Sequence, residues 1–173
     1  MRIDLGENPA NMAWLWGHGK KPKMPSFKER FGVAGSSFTQ TDSSSGLCAL
    51  LGFKRSKDLS SAIESGDLVF VYKEWQGDKD LKTKVRLIEE FDSQVVGACL
   101  KQIGTSKDYR ICITMDYIES IVKKSRIHGH VPFLLQGNGV ASDGQEFFNE
   151  KTASQSKSVL DQGHLLMNTF LSR

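Results

Sequence analysis

The chain is poor in the residue types that mark metal clusters, disulfide frameworks and membrane spans. Its 173 residues include 3 cysteines and 4 histidines. Cys48, Cys99 and Cys112 sit inside apolar helix or strand patterns without metal-like spacing, so buried thiols are expected rather than disulfides or ligands. No apolar run reaches the ~18 residues of a membrane span, and no signal peptide precedes Arg2-Ile-Asp-Leu5. The expected location is therefore the cytoplasm, without membrane association. A dominant charge is missing as well. The formal net charge is +3 and the basic residues are dispersed, which gives no support for a nucleic-acid partner. The densest basic cluster, Lys20-Lys21-Pro22-Lys23, reads as a solvated loop. Proline is scarce, and Pro9, Pro22 and Pro25 fall in a stretch without sustained periodicity. Residues 1–30 therefore read as a lead-in segment with at most one short helix around Asn11 to Trp16.

What is present suits one α/β domain over residues 1–173, since 39% apolar and 25% charged residues can supply a core. Val33 to Thr39 reads as a short strand. Ser43 to Leu51 offers capping serines before an apolar run that stops at Gly52, a helix signature. The Thr41-Asp-Ser-Ser-Ser45 run reads as capping chemistry rather than as a nucleophilic serine, because no base is positioned for it. Ser56 to Ser65 fits a second short helix, and Leu68 to Tyr72 is a continuous apolar strand of the kind buried in a parallel sheet. From about Asp80 to Ile103, Leu81, Val85, Ile88, Phe91, Val95 and Cys99 recur at helical spacing, which predicts one long helix packed on the sheet. Ile111 to Thr114 and Val131 to Leu135 read as strands, Tyr117 to Lys123 as a short helix, and Gly163 to Leu171 as a final amphipathic segment. This alternation predicts a three-layer α/β architecture, a mostly parallel sheet with helices on both faces.

The most informative stretch is Arg110-Ile-Cys-Ile-Thr-Met-Asp116-Tyr117, followed by Arg126-Ile-His128-Gly-His130-Val-Pro-Phe133. An apolar strand delivers an aspartate at its carboxyl end, where open α/β sheets place their chemistry. Near the N-terminus stand Asn8-Pro-Ala-Asn11, Trp14-Leu-Trp-Gly-His18-Gly-Lys20 and Pro25-Ser-Phe-Lys28, and Phe148-Asn-Glu150 and Gly163-His164-Leu-Leu-Met167 lie toward the end. With these motifs the chain resembles the C-terminal half of the archaeal-type, cofactor-independent phosphoglycerate mutases of the alkaline phosphatase superfamily. The resemblance implies an alkaline phosphatase-like half domain. In the full-length family it implies an isomerase of glycolysis that interconverts 2- and 3-phosphoglycerate with two divalent metals.

The implied ligand set is largely replaced. Counting from Val131-Pro132-Phe133, Asp116 falls on a family aspartate, Tyr117 on a family histidine and Arg126 on a later one. Trp75 replaces a ligand histidine in a shortened loop whose Gly77-Asp78 matches the family Gly-Asp. Asp116, Tyr117, Arg126 and Trp75 thus read as the remnant of a metal site, with no catalytic residue and no cofactor expected. A guanidinium cannot coordinate a metal. It could pair with Asp116 as a buried carboxylate or stand exposed in a loop; Asp116 could equally cap a helix at Tyr117 to Lys123. The alternative is a divalent ion (Mn, Zn or Mg) on Asp116, His128 and His130. His18 with Lys20 could touch an anion. The expectation is a degenerate, non-catalytic relative with a binding or interaction role. The alternative is a fragment or subunit completed by a separately encoded N-terminal half. An uncovered apolar face also makes a homo-oligomer a possible partner arrangement.

Overall fold

The computed structural model describes residues 2–75, 80–104 and 108–172. Residues 7–26 carry no helix or strand and, apart from a half-buried Ser26, are exposed, so no helix forms around Asn11 to Trp16. Met12, Trp14, Leu15 and Trp16 each keep more than 85% of their surface in solvent. Ser26 then opens α1 (Phe27–Phe31) with a reciprocal capping box to Glu29.

The parallel sheet is built from β1 (Gly35–Thr39), β2 (Lys54–Arg55) and β3 (Leu68–Tyr72), in the order β2-β1-β3. Gly35 to Thr39 run in register with Leu68 to Tyr72. Helices α2 (Asp42–Leu50) and α3 (Leu59–Glu64) are the crossovers, capped by Thr41 and Asp58. The capping reading of the serine run agrees with the contacts. Ser44 N–H donates to Thr41 Oγ1 at 3.3 Å, and the Ser45 hydroxyl lies 2.7 Å from that of Thr39.

The buried core is small and centred on β1. Phe27, Cys48, Ala62 and Leu68 are its buried apolar residues among those described. Ser36 is fully buried at no unpaired cost, because its hydroxyl donates to Ala62 O at 2.6 Å. Gly35 is required by proximity: a Cβ there would lie 2.4 Å from the Phe53 ring.

The long helix runs from α4 (Leu81–Phe91) through a π-helical turn (Asp92–Val96) into α5 (Gly97–Ile103). Its extent matches the periodicity, but its packing does not. Leu81, Val85 and Ile88 are 52, 46 and 59% exposed, whereas Phe91 and Val95 are half-buried. A π turn holds an extra residue relative to an α turn, so the apolar period is offset across it. The later part of the helix meets α3, where Gln102 Nε2 donates to the Ser60 hydroxyl at 3.1 Å.

The second half of the chain forms antiparallel pairs rather than further parallel strands. β4 (Arg110–Thr114) pairs with β7 (Phe133–Gly137), two residues later than the predicted strand at Val131. β5 (Ile118–Ser120) pairs with β6 (Ser125–Ile127). The expected helix over Tyr117 to Lys123 is therefore this hairpin. Its turn places Lys124 at φ 48°, and β-branched Ile118 and Ile127 face each other across the pair. The chain closes with α6 (Glu150–Gln155), a 3-10 turn at Gly163–Leu165 and α7 (Leu166–Leu171). Arg110 anchors that end, donating to Asn138 O at 2.5 Å, to Phe170 O at 3.0 Å and to Ser172 O.

The accessible surface is 14080 Å². A compact monomer of 19.3 kDa would expose about 8,500 Å². The difference is carried by the N-terminal segment and by uncovered apolar faces such as that of α4. No helix among the described residues is long and apolar enough to cross a membrane.

Candidate functional site

Of the residues that the resemblance places at a metal site, Trp75 follows β3, Asp116 and Tyr117 follow β4, and Arg126 lies on β6. β3 delivers Tyr72 at its carboxyl end, and Asp116 lies two residues beyond the end of β4. The Tyr72 hydroxyl donates to Asp116 Oδ2 at 3.1 Å. Asp116 is exposed, so the expected buried carboxylate needing a compensating cation is not what the fold provides. Tyr72 is half-buried. Burial, and then the Asp116 carboxylate, push its phenol up to about 12.

Arg126 does not pair with Asp116. Its guanidinium carbon sits 3.7 Å from the centre of the Tyr117 ring, a cation–π stack brought about by the β5–β6 hairpin, where Arg126 lies opposite Glu119. The same hairpin removes the helix that Asp116 was to cap. Glu119 instead accepts from Lys84 Nζ at 2.6 Å, tying the hairpin to α4.

Trp75 packs edge-on against Phe91, with ring centres 6.0 Å apart at 81°. Its indole N–H is buried without a hydrogen-bond partner among the described residues. Gly77-Asp78 lie outside the described residues. A cavity of about 230 Å³ adjoins the site, lined by Phe38, Gln40, Val71, Tyr72, Gln94 and Val95 among others. The π-helical turn supplies the last two.

His128 and His130 are exposed in the segment after β6. Among the described residues no three His, Cys, Asp or Glu side chains come together as a metal cluster, so Asp116, His128 and His130 are not assembled into one. His18 and Lys20 are exposed in the N-terminal segment, with no hydrogen bond or ion pair to either among the described residues. The cysteines are free, as expected, and burial raises the thiols of Cys48, Cys99 and Cys112.

Sequence reasoning missed Tyr72 and Phe91. Tyr72 carried a usable signal, since it ends a parallel strand where such sheets place their sites. Phe91 gave none, because its partner Trp75 belongs to a different element.

The donor set here does not fit a divalent metal. One carboxylate is engaged by a phenol, and a permanent cation stacks where the resemblance places an imidazole ligand.

The fold class is mixed α/β, a parallel sheet with covering helices of the alkaline phosphatase-like kind. It is shared with the solved cofactor-independent phosphoglycerate mutase of Thermoplasma acidophilum, at a TM-score of 0.67 and 24% identity over 87% of this chain and 39% of that one. The chain is homologous to the cofactor-independent phosphoglycerate mutases and matches a C-terminal half of them. It is 30% identical over 194 aligned positions to a probable 2,3-bisphosphoglycerate-independent phosphoglycerate mutase of Geobacter sulfurreducens, covering 99% of this chain and 49% of the relative. A 2,3-bisphosphoglycerate-independent phosphoglycerate mutase of Methanothrix thermoacetophila is 28% identical with the same coverages. The chain thus spans about half the length of the curated relatives it matches. No family model matches it.

Proposed function

We propose that this chain is a non-catalytic, cytoplasmic phosphoglycerate mutase-like half, a single domain that works by binding another molecule rather than by transferring a phosphoryl group. The observation that carries this reading is the Arg126 guanidinium 3.7 Å over the Tyr117 ring. The two residues that the resemblance places on metal-binding imidazoles form a stacked pair, whose cation would repel a metal. With Asp116 engaged by Tyr72 at 3.1 Å and Trp75 presenting only an N–H donor, these positions offer no base or metal-held group to activate a hydroxyl, and the one cation among them, Arg126, is stacked on a ring. The test is interconversion of 3- and 2-phosphoglycerate by the purified chain with manganese, magnesium or zinc, together with metal analysis of untagged protein. Neither turnover nor a stoichiometric metal is expected. A chelator-sensitive rate that survives repurification would overturn the reading.

A second reading is favoured by the half-length match and the uncovered surface: a subunit of a two-chain phosphoglycerate mutase whose N-terminal half is encoded separately. It requires a second polypeptide that co-purifies in equal amount and confers metal-dependent interconversion on the mixture.

A further inference from the structure

The stripe of Leu81, Val85 and Ile88 on α4 is exposed over about two turns, at 52, 46 and 59%. Spacings of four and three keep the three side chains on one face. The charges beside this stripe are ordered. Lys82, Lys84 and Arg86 occupy the N-terminal half of the helix, and Glu89, Glu90 and Asp92 the end of α4 and the residue after it. That order opposes the helix macrodipole, which favours acid at the start and base at the end, so it weakens an isolated α4. It is the right order for one particular neighbour, an antiparallel copy of the same helix.

We propose that α4 is the docking surface for a second copy of this chain, paired antiparallel about a two-fold axis near Val85. In such an isologous contact the same flank of both helices meets, running in opposite directions. Leu81 of one copy then faces Ile88 of the second, Val85 lies on the axis, and Lys82 faces Glu89 twice. Lys82 and Glu89 are seven residues apart on one side of the stripe, and both are exposed. Neither takes part in a salt bridge among the described residues. The opposite flank is occupied, since Lys84 is bound to Glu119 at 2.6 Å, which leaves the Lys82–Glu89 side open to a partner. The contact removes three apolar side chains per copy from water and cancels the unfavourable charge order of each helix. It does not depend on whether the site at Asp116 is catalytic.

The test is sedimentation velocity of the purified full chain with four variants. The native chain is expected to be in monomer–dimer equilibrium. Val85→Glu, at a position exposed enough to tolerate it, should weaken dimerisation about a hundredfold with an unchanged circular dichroism spectrum. Lys82→Glu and Glu89→Lys, each setting like charges opposite one another twice, should weaken it about tenfold. Combining the two should return the affinity to within about threefold of native, a rescue that only an antiparallel, two-fold contact produces. A chain monomeric at concentrations on the order of 1 mM would overturn the proposal. So would a dimer indifferent to Val85→Glu, a failure of the double charge swap to rescue, or a different polypeptide found on this face in equal amount.

Discussion

The hydroxyl of Tyr72 and the carboxylate of Asp116 meet at 3.1 Å, joining the end of the parallel sheet to the residue that follows an antiparallel pair. Asp116 is where the resemblance puts a metal ligand. A phenol supplies a neutral donor there, and among the described residues no cation pairs with the carboxylate.

This pairing predicts a pH dependence. The folded Tyr72 phenol stands at about 12 against an ordinary 10.0. A raised phenol favours the fold fully below the unfolded value, and its contribution disappears as pH rises through the folded one, so stability should fall between roughly pH 10 and 12. Asp116→Asn removes the carboxylate's part and leaves that of burial. The tyrosinate absorbance assigned by difference to Tyr72→Phe should then titrate at lower pH. An unchanged midpoint would refute the link.

Tyr117 and Arg126 fall where the resemblance places imidazoles, and both can be replaced by histidine. The native chain should show no rise in melting temperature with zinc. The double variant Tyr117→His, Arg126→His, which restores two donors beside Asp116 and removes the cation, should gain several degrees in zinc that chelator abolishes.

Arg110 holds the C-terminal end through three carbonyls, Asn138, Phe170 and Ser172. Arg110→Ala should destabilise the fold by about 2–3 kcal/mol, with early loss of amide protection in α7. Arg110→Lys should recover only part, because an ammonium cannot reproduce the planar fork.

Gly35→Ala should cost about 1–3 kcal/mol by overpacking against the Phe53 ring, which lies 2.4 Å from where the new Cβ would be. Denaturant unfolding checks this, and Phe53→Leu in the same chain should relieve part of the loss.

Much of the local structure was legible in the residues themselves. The strand from Leu68 to Tyr72, the helix start at Asp80 and its end at Ile103 follow from propensity, capping and apolar period, which act between neighbours along the chain. The half-length likeness to phosphoglycerate mutases was legible for a similar reason, since its motifs are short and contiguous. The arrangement of these pieces was not. Ile118 to Ile127 could serve a helix or a hairpin, and only the pairing of Ile118 with Ile127 selects the hairpin that lays Arg126 on Tyr117. The π-helical turn at Asp92–Val96 leaves no mark in composition, and neither does the exposure of Leu81, Val85 and Ile88 on the helix before it. Tyr72 reaches Asp116 across 44 positions of sequence. Contacts of that range depend on how sheets and helices pack in three dimensions, where burial and hydrogen bonding choose among arrangements that local preferences leave equal.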